Sequence, residues 1–183
     1  MRTALVLAAL VGTHLLSAVA GERLPLVQPA NSGLVLAKLV RQNDLSAAFS
    51  GEVRVSGTFM GVWPEGATNK NYTEPDYLFV PDKESSNRLP HFALREPPHA
   101  HDYKVNWVTI TNGRGALKQA AGSEQVARLL QRRVNHVRVT GVFVIGEFVV
   151  GVECDAPWAR ATLLAAELPD QVAVKHSSRP ETC

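Results

Sequence analysis

Val53-Arg54-Val55-Ser56-Gly57-Thr58-Phe59 returns almost unchanged as Val137-Arg138-Val139-Thr140-Gly141-Val142-Phe143. Apolar and polar residues alternate in both copies, the period of a strand with one buried face. Both carry a glycine at mid-strand, where chains bulge or bend sharply to close a barrel. Two such strands with a helix between them predict a mainly β fold organised as a small closed barrel.

Working outward, the first strand runs over Glu52–Trp63, with Val53, Val55, Phe59 and Trp63 on one side together with Gly57 and Gly61. Turn formers fill Pro64 to Pro75, Tyr77–Val80 is a short second strand stopped by Pro81-Asp82, and Val105–Thr111 is a β-branched third. Residues 82–103, with His91, His99, His101 and Pro97-Pro98, read as a long irregular loop. Ser123 caps a helix whose Val126, Leu129, Leu130 and Val134 share a face. The second glycine-bearing strand, Val137–Ile145, then meets a tight turn at Gly146-Glu147, Phe148–Glu153 returns beside it, and Ala159–Leu168 is the last strand. Residues 21–44 are a lead-in arm. Leu34–Leu36 suits helix or strand, and Asp44–Phe49 reads as a helical turn ended by Ser50-Gly51. Residues 169–183 read as a polar tail.

The first twenty residues are a unit of their own. Arg2 precedes the apolar run Ala4–Val11, and Ala18-Val19-Ala20 fits a small-x-small cleavage site, so the mature chain is expected to start at Gly21. Gly12, Thr13 and His14 break the run well short of the about 20 apolar residues that a membrane span needs. The expectation is export, to the periplasm or beyond, with no transmembrane anchor in the mature chain. Residues 21–183 have one domain's length. The formal net charge of +2 includes Arg2, which leaves with the leader. A nearly balanced chain lacks the basic excess on which phosphate-backbone binding leans, so nucleic acid is disfavoured as a partner. Cys154 and Cys183 are an even pair in an oxidising compartment; a disulfide is expected if geometry allows, and free thiols otherwise.

Gly51-Glu-Val-Arg-Val-Ser-Gly57, Tyr77-Leu-Phe-Val-Pro-Asp82 and Val137-Arg-Val-Thr-Gly-Val-Phe143 resemble the first, second and fourth strands of small exported bacterial OB-fold domains. The resemblance spans residues 45–168. It implies an OB-fold-like Greek-key barrel of five to six strands with one helix between the third and fourth. The long 82–103 loop and the 146–153 hairpin depart from the pattern. In OB-folds ligand chains are bound over the face of the first strands, often by stacking on aromatic side chains. Phe59, Trp63, Tyr77, Phe79 and Trp107 fall on the first three strands here, and parity sends Phe59 and Trp63 inward. Arg54, Thr58 and Met60 then point outward, with Tyr77 and Trp107 as neighbours; these five form the expected binding face.

His99-Ala-His101-Asp102, with His91 nearby, carries the imidazole and carboxylate chemistry of a zinc or copper site. A solvated histidine-bearing loop is the plainer expectation. Cys154 with His136 lacks the third, orienting group of a nucleophilic site. The chain holds no serine elbow, phosphate loop or metalloprotease pattern. The sequon Asn71-Tyr72-Thr73 is taken as chance. These features favour an exported binding or interaction module without cofactor, its partner an envelope protein, a peptide or a saccharide, over a small metal-dependent enzyme or metal-binding protein using the His91–His101 loop.

Overall fold

A computed structural model describes residues 24–41, 45–67 and 71–176. The class is mainly β, as expected. Nine strands and three helices follow one another among these residues. The two copies of the repeat turn out to be partners. β3 (Leu45–Val62) and β8 (Val134–Glu153) run antiparallel, with Val55 opposite Phe143, Gly57 opposite Gly141 and Phe59 opposite Val139. β3 also pairs with β2 (Leu34–Val40) through its first half and with β4 (Asp76–Pro81) through its second. β4 continues to β7 (Val108–Ile110), which lies parallel to β9 (Ala156–His176), and β9 pairs antiparallel with β8. The ladder β3-β4-β7-β9-β8 thus returns to β3. A smaller sheet joins β1 (Leu26–Val27), β5 (His91–Leu94) and β6 (His101–Tyr103).

One continuous core fills the inner side. Val53, Val55 and Phe59 of β3, Phe79 of β4, and Val139, Phe143 and Ile145 of β8 are all buried. Phe143 packs edge-on against Phe59 and Phe79, with centroids 6.2 Å and 5.5 Å apart. α2 (Gly113–Ala121) and α3 (Ser123–Leu130), between β7 and β8, close one side. A Cβ on Gly61 would stand 2.7 Å from both Leu117 and Leu129, so its bare backbone admits the two helices. No helix among the described residues is long and apolar enough to cross a membrane.

Several local expectations are corrected. Asp44 lies outside the described residues, and the rest of the expected helical turn, Leu45–Phe49, opens β3 instead, because Ala47 and Phe49 alternate into the core. The supposed lead-in arm carries β1 and β2, both paired in sheets. The 82–103 loop is largely structured. Asp82 Oδ1 accepts from the Ser85 N–H at 2.7 Å and starts α1 (Lys83–Arg88), and Ser85 Oγ accepts from the Ser56 N–H at 2.7 Å, tying that helix to β3. Two helices stand between β7 and β8 rather than one, and Val134 belongs to a strand.

The expected turn at Gly146-Glu147 is a bulge within β8. Gly146 pairs with Thr162 and Val149 with Arg160, Glu147 has φ 50°, and its carboxylate accepts from the Thr162 hydroxyl at 2.6 Å. The true reversal is the two-residue turn Cys154-Asp155, with φ 48° and 60°, the sign that a type I′ hairpin requires at both positions. The polar tail is corrected as well: β9 runs to His176, which pairs with Val134.

Candidate functional site

The outer side of β4-β3-β8 is where the ladder leaves side chains to solvent. Cross-strand neighbours in an antiparallel pair share a face. Thr58 lies between Val80 and Thr140, and its hydroxyl is 3.2 Å from that of Thr140. Met60 lies between Leu78 and Arg138. Around the Thr58–Thr140 row is an open groove of about 490 Å³, bordered by Ser56, Val80, Pro81 and Val142. Arg54, further along the same face, pairs with Glu167. The groove is mostly hydroxyl and hydrocarbon, with Asp82 at its rim already engaged as the α1 cap.

Arg54, Thr58 and Met60 therefore fall on one outward face, as parity required. Trp107 is 54% exposed and immediately precedes Val108, the β7 partner of Phe79. Tyr77 is corrected: it pairs with Gly61 and points to the core side. Its ring lies on Gly113, where a Cβ would sit 2.1 Å from the aromatic Cγ. Burial, then the charge of Glu74, raises the Tyr77 phenol above its ordinary pKa, with the Arg114 guanidinium opposing. Val80, Arg138 and Thr140 were missed from sequence. The signal was there, because the repeat aligned antiparallel on its glycines sets Thr58 against Thr140.

The histidine loop divides. His91 is buried in β5, its Nδ1 3.1 Å from the Leu89 carbonyl oxygen, and its Nε2 is 3.6 Å from an Asp102 carboxylate oxygen. Arg95 holds the other Asp102 oxygen at 2.9 Å. Burial works against ionisation of Asp102, but the hydrogen bond and charge of Arg95, with His91 and Lys104, outweigh it and hold the carboxyl below its usual pKa. His101 packs its ring on Tyr103, and its Nδ1 lies 2.8 Å from the His99 carbonyl oxygen. Among the described residues no three His, Cys, Asp or Glu side chains are grouped so as to hold a metal. The four candidates serve as ion pair, ring contact and backbone hydrogen bond.

Cys183 lies outside the described residues. Cys154 sits exposed at the tip of the β8–β9 turn. The described residues give Cys154 as a free thiol, so they lend the expected Cys154–Cys183 bridge no support. Cys154 in the native, unreduced protein is thus expected to react with a thiol reagent at the rate of an exposed cysteine; a thiol that appears only after reduction refutes this.

Compared with family models, with curated proteins and with solved structures, the chain matches none.

Proposed function

We propose that the chain is an exported binding module, an OB-like closed barrel that takes a neutral saccharide or peptide chain across the outer face of β4-β3-β8. The barrel assignment is supported by the ladder that returns to β3, by the parallel seam between β7 and β9, and by the helices placed between β7 and β8. Export is supported by the apolar run Ala4–Val11 followed by Ala18-Val19-Ala20. The observation that carries the binding role is the groove over Thr58 and Thr140. Its hydroxyls offer both donors and acceptors, while Val80, Pro81 and Val142 supply apolar surface, and Trp107 is exposed at the start of β7, the strand next to β4. Such a lining fits a chain of hydroxyls and C–H faces better than a polyanion. Binding fits this site better than catalysis: the Thr58 and Thr140 hydroxyls face each other, and the bordering carboxylate, Asp82, is engaged with the Ser85 N–H as the α1 cap.

The test is an NMR titration of the labelled protein against panels of neutral oligosaccharides and short peptides. Shifts are expected to cluster at Thr58, Val80, Trp107 and Thr140. Trp107→Ala is expected to weaken the binding roughly tenfold, about 1.4 kcal/mol. Shifts confined to another face, or no binding from either panel, would sink the proposal.

A further inference from the structure

His91 lies in β5 and is 5% exposed, with an oxygen acceptor at each ring nitrogen. Nδ1 is 3.1 Å from the Leu89 carbonyl oxygen, and Nε2 is 3.6 Å from an Asp102 carboxylate oxygen. Carbonyl and carboxylate oxygens accept hydrogen bonds and cannot donate them, while a neutral imidazole has one N–H to give. Each neutral tautomer therefore sets a bare nitrogen lone pair against an oxygen. The closer contact places the N–H on Nδ1, and Nε2 is then enclosed without a hydrogen-bond partner among the described residues. A buried polar atom left so is uncommon and costs stability. The doubly protonated ring has a donor for each oxygen.

The charges around the ring accommodate that form. Arg95 takes one Asp102 oxygen at 2.9 Å and leaves the other toward His91. Lys104, just past β6, is turned to Asn87, and Arg88 closes α1 beside the Leu89 that supplies the carbonyl. His101, the other imidazole in β6, lies on Tyr103. β1 runs along β5 with Leu26 and Val27, which do not titrate. β8 also packs on β5, and Asp102 is the one carboxylate within ion-pair distance of His91 among the described residues. β6 is three residues long and, among the described residues, pairs with β5 alone. Asp102, opposite Ala93, is its middle residue, so a carboxylate drawn to His91 and Arg95 adds to a short ladder.

We infer that His91 and Asp102 form a proton-operated clasp. With both ring nitrogens protonated, the Nε2–H is donated to the Asp102 carboxylate and fastens β6 to β5; loss of that proton with rising pH releases it. The folded arrangement has an acceptor waiting for the Nε2 proton and the unfolded chain has none. The contribution is therefore present on the acid side of the imidazole range and is lost as pH rises through it. Its acid limit is Asp102 itself. Burial disfavours the ionised carboxyl, yet Arg95, with His91 and Lys104, outweighs it and holds Asp102 below its usual pKa. The acceptor thus stays charged throughout the imidazole range.

Amide exchange and imidazole nitrogen NMR spectra of the full chain, recorded between about pH 5 and about pH 8, test this. At the acid end both His91 ring nitrogens are expected to carry protons, with the Nε2 proton protected from exchange. Corrected for the intrinsic rate, protection of the β6 amides should fall about tenfold toward the alkaline end, while amides paired between β3 and β8 keep theirs. Asp102→Asn leaves His99 and His101 in place and gives the neutral ring a donor, so its β6 protection should not fall as pH rises. A His91 ring with a single proton at the acid end, level β6 protection in the parent across the range, or an equal fall in Asp102→Asn would each overturn the inference.

Discussion

Gly57→Ala is expected to cost roughly 3 kcal/mol or more of folding stability. A Cβ at this position would stand 2.3 Å from the Val80 carbonyl oxygen, 2.9 Å from Phe79 Cζ and 2.9 Å from Pro81 Cα. Two of those three atoms are backbone. They belong to the end of β4, which pairs with β3 through Gly57 opposite Pro81 and Thr58 opposite Val80. The new methyl group therefore cannot be accommodated by a rotamer change. It must push β4 away, and that would open the ladder beside the groove. Gly66 is the control: its φ is +76° but a Cβ there meets nothing within 4 Å. Gly66→Ala is expected to cost about 1 kcal/mol, the conformational cost alone. Urea unfolding of the two variants and the parent separates the contributions. A Gly57→Ala protein within about 0.5 kcal/mol of the parent would show that the strands do not approach this closely.

Phe143→Ala should lose about 3–5 kcal/mol. The ring is fully buried, lies across the ladder from Val55, and holds edge-on contacts with both Phe59 and Phe79. Removing it leaves a cavity where β3, β4 and β8 meet, and rings held from three strands cannot all collapse into it. Phe143→Leu keeps most of the volume and should cost less than half as much. Chemical denaturation measures both. A loss below about 1 kcal/mol for the alanine variant would mean that the three strands do not share one core.

The two copies of the repeat carried most of the fold in plain view. Alternation gave the buried faces of β3 and β8, and their glycines marked where the chains cross closely. Elsewhere local signals misled for identifiable reasons. Asp44 to Phe49 has the composition of a helical turn, but Ala47 is held in a strand between Leu39 of β2 and Val150 of β8, about a hundred residues on, and Phe49 is paired with Leu36 of β2. Gly146 looked like a turn because glycine usually marks one. The turn went instead to Cys154-Asp155, whose positive φ values come from the need to bring Glu153 and Ala156 into register. Helix α2 was hidden by Gly113 and Gly115 at its start; Gly113 is there because Tyr77 lies on it.

The candidate site divides along the same line. The sequence determined which side chains of β3 look outward, since a period of two fixes Arg54, Thr58 and Met60 to one face whatever the partners are. It also determined the mainly β class and the near-neutral surface. Tertiary structure alone decided what stands beside those residues: Thr140 and Val80 on the groove, Tyr77 turned to the core, Asp102 taken up by Arg95. Register depends on how distant strands slide and bulge against one another. That balance belongs to the packed ladder as a whole and not to any local run of residues.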